Sequence, residues 1–266
     1  LHIIDDLSKG NRESIPDKVK FTESDIAEKS SLNISHEYDY IFHFAGQSSG
    51  ERSFKSQMED ARSNYLSTVN IVEYSNEIGC KNLIFASSMS VYGDNQTGPK
   101  TPYGLNKLHS ENYIKTFYQG KYKILRLNNI YGPGQDLQDM MQGMVSIFLS
   151  QALSSDQIIV KGSLTRSRDF VWIEDLLALL DHYLHSSDSA KSEVVDVASG
   201  RLTSVGELLE EIQFVLGRKQ IQIKAGTRGD QNSVEQRGDI FEINLGKSSI
   251  TIKEGIRIWI SKLKNV

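Results

Sequence analysis

Short apolar runs alternate along this chain with longer segments of helical periodicity. The runs at 2–4, 19–21, 38–44, 82–86 and 123–127 are brief and apolar and read as strands. The windows at 60–78 and 103–118 carry apolar residues three and four apart, the spacing of a helix with one buried face. This alternation predicts βα units and a parallel sheet. After Gly134 the rhythm loosens. The pattern there predicts a helix over 137–153, strands at 158–160 and 170–172, and a helix from Glu174. A strand at 194–197, a helix over 205–216, a strand at 221–223 and a last helix over 256–263 follow. We therefore expect an α/β protein with a sheet domain over 1–134. A smaller α/β lobe is expected over 135–266, with segments that return to the first domain.

Composition narrows the class. The chain has 266 residues, a net charge of −4 and no basic run, so nothing suggests a nucleic-acid partner. No apolar run approaches the ~20 residues that span a bilayer, and we expect no membrane partner. A single cysteine, Cys80, excludes an intrachain disulfide and multi-cysteine zinc sites. No metal is expected, and the thiol usage suggests a reducing cytoplasm. The chain opens on Leu1 rather than Met and runs straight into a strand. We read its natural start as lying upstream.

Tyr103 and Lys107 stand four apart, which puts both on one helix face. An ammonium close to a phenol favours the phenolate, so the pair could take a proton from an alcohol or sugar hydroxyl as hydride leaves the same carbon. Ile114, Phe117 and Tyr118 share that face, so the same spacing also fits a buried stripe with a snorkelling lysine. Upstream, the strand at 82–86 ends in Ser87 and Ser88. Ligands of parallel sheets bind at the carboxyl ends of strands. A serine there could hydrogen-bond substrate and tyrosine, or could merely satisfy local backbone groups.

With Ser88, Tyr103 and Lys107 in this order, the chain resembles the extended short-chain dehydrogenase/reductases, specifically the NAD-dependent nucleotide-sugar epimerase/dehydratase group. The resemblance covers nearly the whole chain. It implies a Rossmann-like doubly wound sheet, NAD as cofactor, a nucleotide-diphosphate sugar as substrate, and a homodimer. Ile3-Ile4-Asp5-Asp6 resembles the family's second strand, with Asp5 on the adenosine ribose; without the other motifs it reads equally as a turn-capping aspartate. Asp25 and Ile26 resemble the contact near the adenine, and Phe44-Ala45-Gly46 the turn where small residues admit the cofactor. Ser87, Tyr103 and Lys107 would touch the cofactor, and Asn64 would support the site. Ser88, Asn129, Arg168 and Arg228 would meet the sugar nucleotide, the arginines on its diphosphate. Surface-polysaccharide precursor synthesis is the setting the resemblance suggests.

Three departures qualify these expectations. No G-x-G-x-x-G phosphate loop occurs in the 266 residues. The stretch between Ser88 and Tyr103 is short for the family, which reshapes the wall expected beside the sugar. Met89 and Ser90 stand where sugar dehydratases carry an Asp-Glu pair, so water elimination lacks its acid and base. Oxidation at C4 remains, followed by return of hydride to the other face in an epimerase, or by release of a keto sugar in a dehydrogenase/reductase. Two rival readings stay open: a non-catalytic cofactor-binding relative, and a serine hydrolase using Ser48 of Gly46-Gln47-Ser48-Ser49-Gly50. The helix over 103–118 also carries Leu105 and Leu108 away from the site, as a helix buried on two sides would.

Overall fold

The computed structural model describes residues 1–32, 37–93, 98–185, 191–226, 240–242 and 250–264. Strands β1 (His2–Asp5) and β2 (Lys20–Glu23) pair in parallel as a sheet of their own. Next comes β3 (Tyr40–His43), then α1 (Gly50–Lys55), α2 (Gln57–Ala61), a π-helical turn at Arg62–Leu66, and α3 (Ser67–Glu77). Strand β4 (Asn82–Ser88) leads to α4 (Pro102–Phe117), β5 (Lys121–Leu127), β6 (Asn129–Tyr131) and α5 (Met144–Ser154). The remainder is β7 (Gln157–Lys161), β8 (Ser167–Trp172), α6 (Ile173–His185), β9 (Glu193–Ala198) and β10 (Leu202–Ser204). It closes with α7 (Val205–Leu216), β11 (Gln220–Lys224), β12 (Ile240–Glu242) and α8 (Ile252–Lys264).

The central sheet is parallel, in the order β12-β9-β5-β4-β3. Its strands are apolar because both faces are covered. Leu83, Phe85 and Ile124 point toward Ile71, Val72 and Ile114 on α3 and α4. Ile84 and Leu125 point the other way, onto Leu176, Leu179 and Tyr183 of α6. The alternation along β4 thus sends neighbours into two different cores. A third core joins α5, α7 and α8 around Phe148, Leu208, Ile212 and Trp259. There β10, β8 and β6 form one small sheet and β11 pairs with β7. A capping box at Ser204 and Glu207 starts α7 at Val205, as its sequence pattern predicts.

Three expectations need correcting. The helix placed at 60–78 begins at Gln57 and contains the π-turn, whose extra residue a 3.6-residue periodicity does not reveal. The helix placed at 137–153 begins only at Met144, because Gly143 before it holds a positive φ of 81°. Phe117 does not share the buried face of α4; it is 55% exposed and packs on Tyr113, while Ile114 and Tyr118 are buried. β1–β2 and β3 belong to separate sheets, bridged by a hydrogen bond between His2 Nδ1 and the Tyr38 hydroxyl at 2.8 Å.

Candidate active site

Ser88 is the last residue of β4, and its side chain caps the turn that follows by accepting the Ser90 N–H at 3.1 Å. Thr101 caps α4 by accepting the Gly104 N–H at 3.0 Å, and Pro102 occupies the first turn, where its missing N–H costs nothing. Helix and turn lie so close that a Cβ on Gly104 would come 2.5 Å from the Ser90 carbonyl oxygen. This contact sets Tyr103 beside Ser88, whose hydroxyl draws the phenol's titration down. One turn on, the Lys107 ammonium donates to the Ala86 carbonyl at 2.9 Å and lies 6.0 Å from the centre of the Tyr103 ring. The sequence-predicted trio is therefore assembled in space.

Its electrostatics differ from the expectation. Burial pushes the Tyr103 phenol up to about 12, and the neighbouring Ser88 hydroxyl only partly opposes this. The phenol is thus raised, not lowered as Lys107 was expected to do. Desolvation wins because Tyr103 is 7% exposed and the ammonium is turned to a carbonyl. Burial likewise brings Lys107 down to about 8, against the opposing pull of Asp60 and Glu111.

The trio lines a cavity of about 740 Å³, together with Ser87, Asn129 and Arg168. Asn129 reaches across from β6 and donates to the Asp169 carbonyl at 2.8 Å; Arg168 donates to the Ser167 carbonyl at 2.8 Å. The Ser87 hydroxyl is turned to Glu111 at 2.5 Å. A second cavity of about 400 Å³ lies between β1–β2 and β3, lined by Asp5, Asp25, Ile26, Ala45 and others. There Asp5 accepts the Leu7 N–H at 2.7 Å, and Asp25 accepts the Ala27 N–H at 2.8 Å and pairs with Arg62. Phe44, Gly46 and Gln47 line both cavities. Arg228 lies outside the described residues, as do 94–97 of the short loop before α4. Ser48 lines the large cavity, but among the described residues no histidine does, so a Ser-His arrangement is not formed. No cluster of described residues could hold a metal ion, and no described helix is long and apolar enough to cross a membrane.

Residues 1–198 match the NAD dependent epimerase/dehydratase family. The chain belongs to this family. A Methanocaldococcus jannaschii relative named for UDP-glucose 4-epimerase is 30% identical, the match covering 99% of this chain and 90% of that protein. The dTDP-4-dehydro-6-deoxyglucose reductase of Escherichia coli is 30% identical over 70% of this chain and 62% of its own length. The crystal structure of UDP-glucose 4-epimerase from Thermotoga maritima, solved with UDP-glucose, superposes with a TM-score of 0.90 at 26% identity. It covers 99% of this chain and 90% of that one.

The NAD on which this family depends fits the two ends of the joined cavities. Gly46 has a φ of 142°, and a Cβ there would meet Asn64 Oδ1 at 2.6 Å. That oxygen is buried and accepts no hydrogen bond. The junction is thus bare backbone beside an unused acceptor, suited to close approach by a ligand. Asp5 stands at the end suited to a ribose, and Tyr103 and Lys107 at the end suited to a nicotinamide.

Two groups of supporting residues escape a reading of motifs. Asp60 is 1% exposed and accepts from the amides of Gln47, Asn64 at 3.0 Å and Asn106 at 2.6 Å. Glu111 is fully buried and grips Arg126 of β5 with both oxygens, at 2.9 and 2.6 Å. Arg126 continues to the Tyr92 hydroxyl at 2.6 Å, and Tyr92 to Asp196 of β9 at 2.9 Å. The available signal was spacing: Asp60 precedes Asn64 by four, and Glu111 follows Lys107 by four.

Proposed function

We propose that this chain is a nucleotide-sugar 4-epimerase working through a transient 4-keto sugar. The observation that carries the reading is the Ser88–Tyr103–Lys107 set on a cavity that offers no free acid for dehydration. Among the described residues its only carboxylate is Asp169, whose oxygens accept the backbone N–H groups of Ser199 and Arg201 at 2.8 and 3.1 Å. Met89 and Ser90 supply neither a general acid nor a general base at neutral pH.

NAD, when bound, supplies the hydride acceptor for C4 and the hydride that returns to it. Tyr103 takes the C4 hydroxyl proton and later gives it back. A phenol held near 12 carries little phenolate at neutral pH in the free site. The Lys107 ammonium is the adjacent cation that favours the phenolate when it moves nearer. Ser88 orients the C4 oxygen. Asn129 contacts the sugar nucleotide, and Arg168 and Arg228 clamp its diphosphate through paired N–H groups. Asp5, Asp25, Ile26, Phe44, Ala45, Gly46 and Ser87 form the cofactor wall. Two copies meet through the outer side of α4, where Leu105 and Phe117 are exposed.

Mass spectrometry and NMR of products from UDP-, GDP- and dTDP-hexoses, using the full-length protein with NAD, test the reading. Unchanged mass with inverted C4 is expected. Loss of water would mean a dehydratase. A change of two hydrogens would favour the second reading, a 4-dehydrogenase/reductase, for which the Escherichia coli reductase speaks. Tyr103→Phe should lower turnover by about 10²–10⁴-fold while NAD stays bound; undiminished turnover in that variant removes the assignment.

A further inference from the structure

Asp60 is a buried carboxylate that the proposed chemistry leaves unused. It sits on α2, 1% exposed, and all of its hydrogen-bond partners are neutral amide donors. Gln47 and Asn64 donate to Oδ1 and Asn106 donates to Oδ2. A carboxylate accepts only, and three N–H groups aimed at its two oxygens solvate a negative charge. No guanidinium or ammonium lies within ion-pairing distance of it among the described residues. A buried charge caged by neutral dipoles, with no adjacent cation to neutralise it, is free to act on a cation at longer range. Two of its three donors tie it to the neighbourhood of Lys107 and the cavities. Asn106 is the residue before Lys107 on α4, and Gln47 lines both cavities.

We propose that Asp60 is a positioning residue that acts through Lys107: its carboxylate, fixed by three amides, holds the Lys107 ammonium charged and ties α4 to the loop shared by the two cavities. This deepens the reading of Tyr103 and Lys107 as the proton-transfer pair and rests on it. The groups facing Lys107 can be named element by element. From β3 comes His43, kept neutral by burial and by the Lys107 charge, which bring it down to about 3. From β4 come the Ala86 carbonyl and the Phe85 ring. From α4 itself come Tyr103 and Glu111, the latter engaged by Arg126 of β5. From α2 comes Asp60, the larger of the two charges that oppose the burial of Lys107. The same carboxylate also raises the Tyr103 phenol.

The sign of the test follows. Loss of one negative charge lowers both the Lys107 and the Tyr103 titrations, because each bears on the same carboxylate. In Asp60→Asn the whole pH–rate profile should move toward acid, whereas a loss of packing alone would lower the rate and leave both limbs in place. The direct readout is NMR titration of the Lys107 side chain in the substrate-free protein, its signal assigned by comparison with Lys107→Arg. The wild-type midpoint near 8 should fall by about one pH unit in Asp60→Asn. Asp60→Glu keeps the charge and should hold the wild-type midpoint. If Asp60→Asn does not fold, Asp60→Ser leaves room for water to meet the three amides and carries the same expectation. A Lys107 midpoint unchanged in the neutral variant overturns the proposal. Because the titration uses no substrate, failure of the epimerase reading would show in the product panel and not here.

Discussion

Two buried carboxylates, one on α4 and one against it, are handled in opposite ways. Glu111 projects from α4 and is met by the Arg126 guanidinium through both oxygens, by the Ser87 hydroxyl and by Lys115 at 3.2 Å. Burial alone would push its carboxyl up, but these partners outweigh burial and hold it below the usual range. Asp60 receives three N–H groups and, among the described residues, no cation. The difference separates two uses of a buried charge. Where the counter-ion is adjacent, the pair acts chiefly as a joint, here between α4, β4 and β5. Where the solvating groups are neutral dipoles, the charge is held in place and its field reaches the next ionisable group, Lys107.

The contrast can be broken by substitution. The largest expected effect on stability is Glu111→Gln, which leaves Arg126 buried against an uncharged partner. It should lower the unfolding free energy by about 3–5 kcal/mol, read by urea denaturation. Asp60→Asn removes a hydrogen-bonded charge but strands no cation, and should cost only about 1–3 kcal/mol in the same assay. Equal losses would erase the distinction. A pH series sharpens it. The folded-state titration of Glu111 is depressed, so its contribution is full above its unfolded value of about 4.3 and is lost as pH falls through the folded value. The stability gap between wild type and Glu111→Gln should therefore be complete near neutrality and close progressively below about pH 4. The smallest effect is expected from Lys115→Met. This lysine is 30% exposed on its side chain, and its i,i+4 pair with Glu111 is worth about 0.3–0.5 kcal/mol.

Much of the fold was legible because its signals are local. The strands read at 82–86 and 123–127 announce themselves by short, largely apolar runs, and α7 by its periodicity. The trio was legible for the same reason, since a four-residue spacing on one helix and a serine at a strand end are short-range patterns. What local pattern could not convey was the helix start at Gln57, the π-turn around Asn64, the long approach to α5, or the outward turn of Phe117. Each depends on what another segment places against the element.

The electrostatics show the same division more sharply. From residue types alone, a lysine four places from a tyrosine lowers the phenol. In the folded protein the phenol is raised, because burial outweighs an ammonium that has turned to the Ala86 carbonyl. By itself the sequence determined the membership of the family, the order of the strands and helices, and the placing of Ser88 at a strand end with Tyr103 and Lys107 one turn apart on a helix. Those are carried by spacing within single elements. Only the tertiary structure decided that Gln47, Asn64 and Asn106 converge on Asp60, and that Arg126 of β5 closes on Glu111. Such pairings join side chains from separate elements across a buried interior. The low dielectric there sets both the strength and the sign of their effect, which no spacing along the chain records.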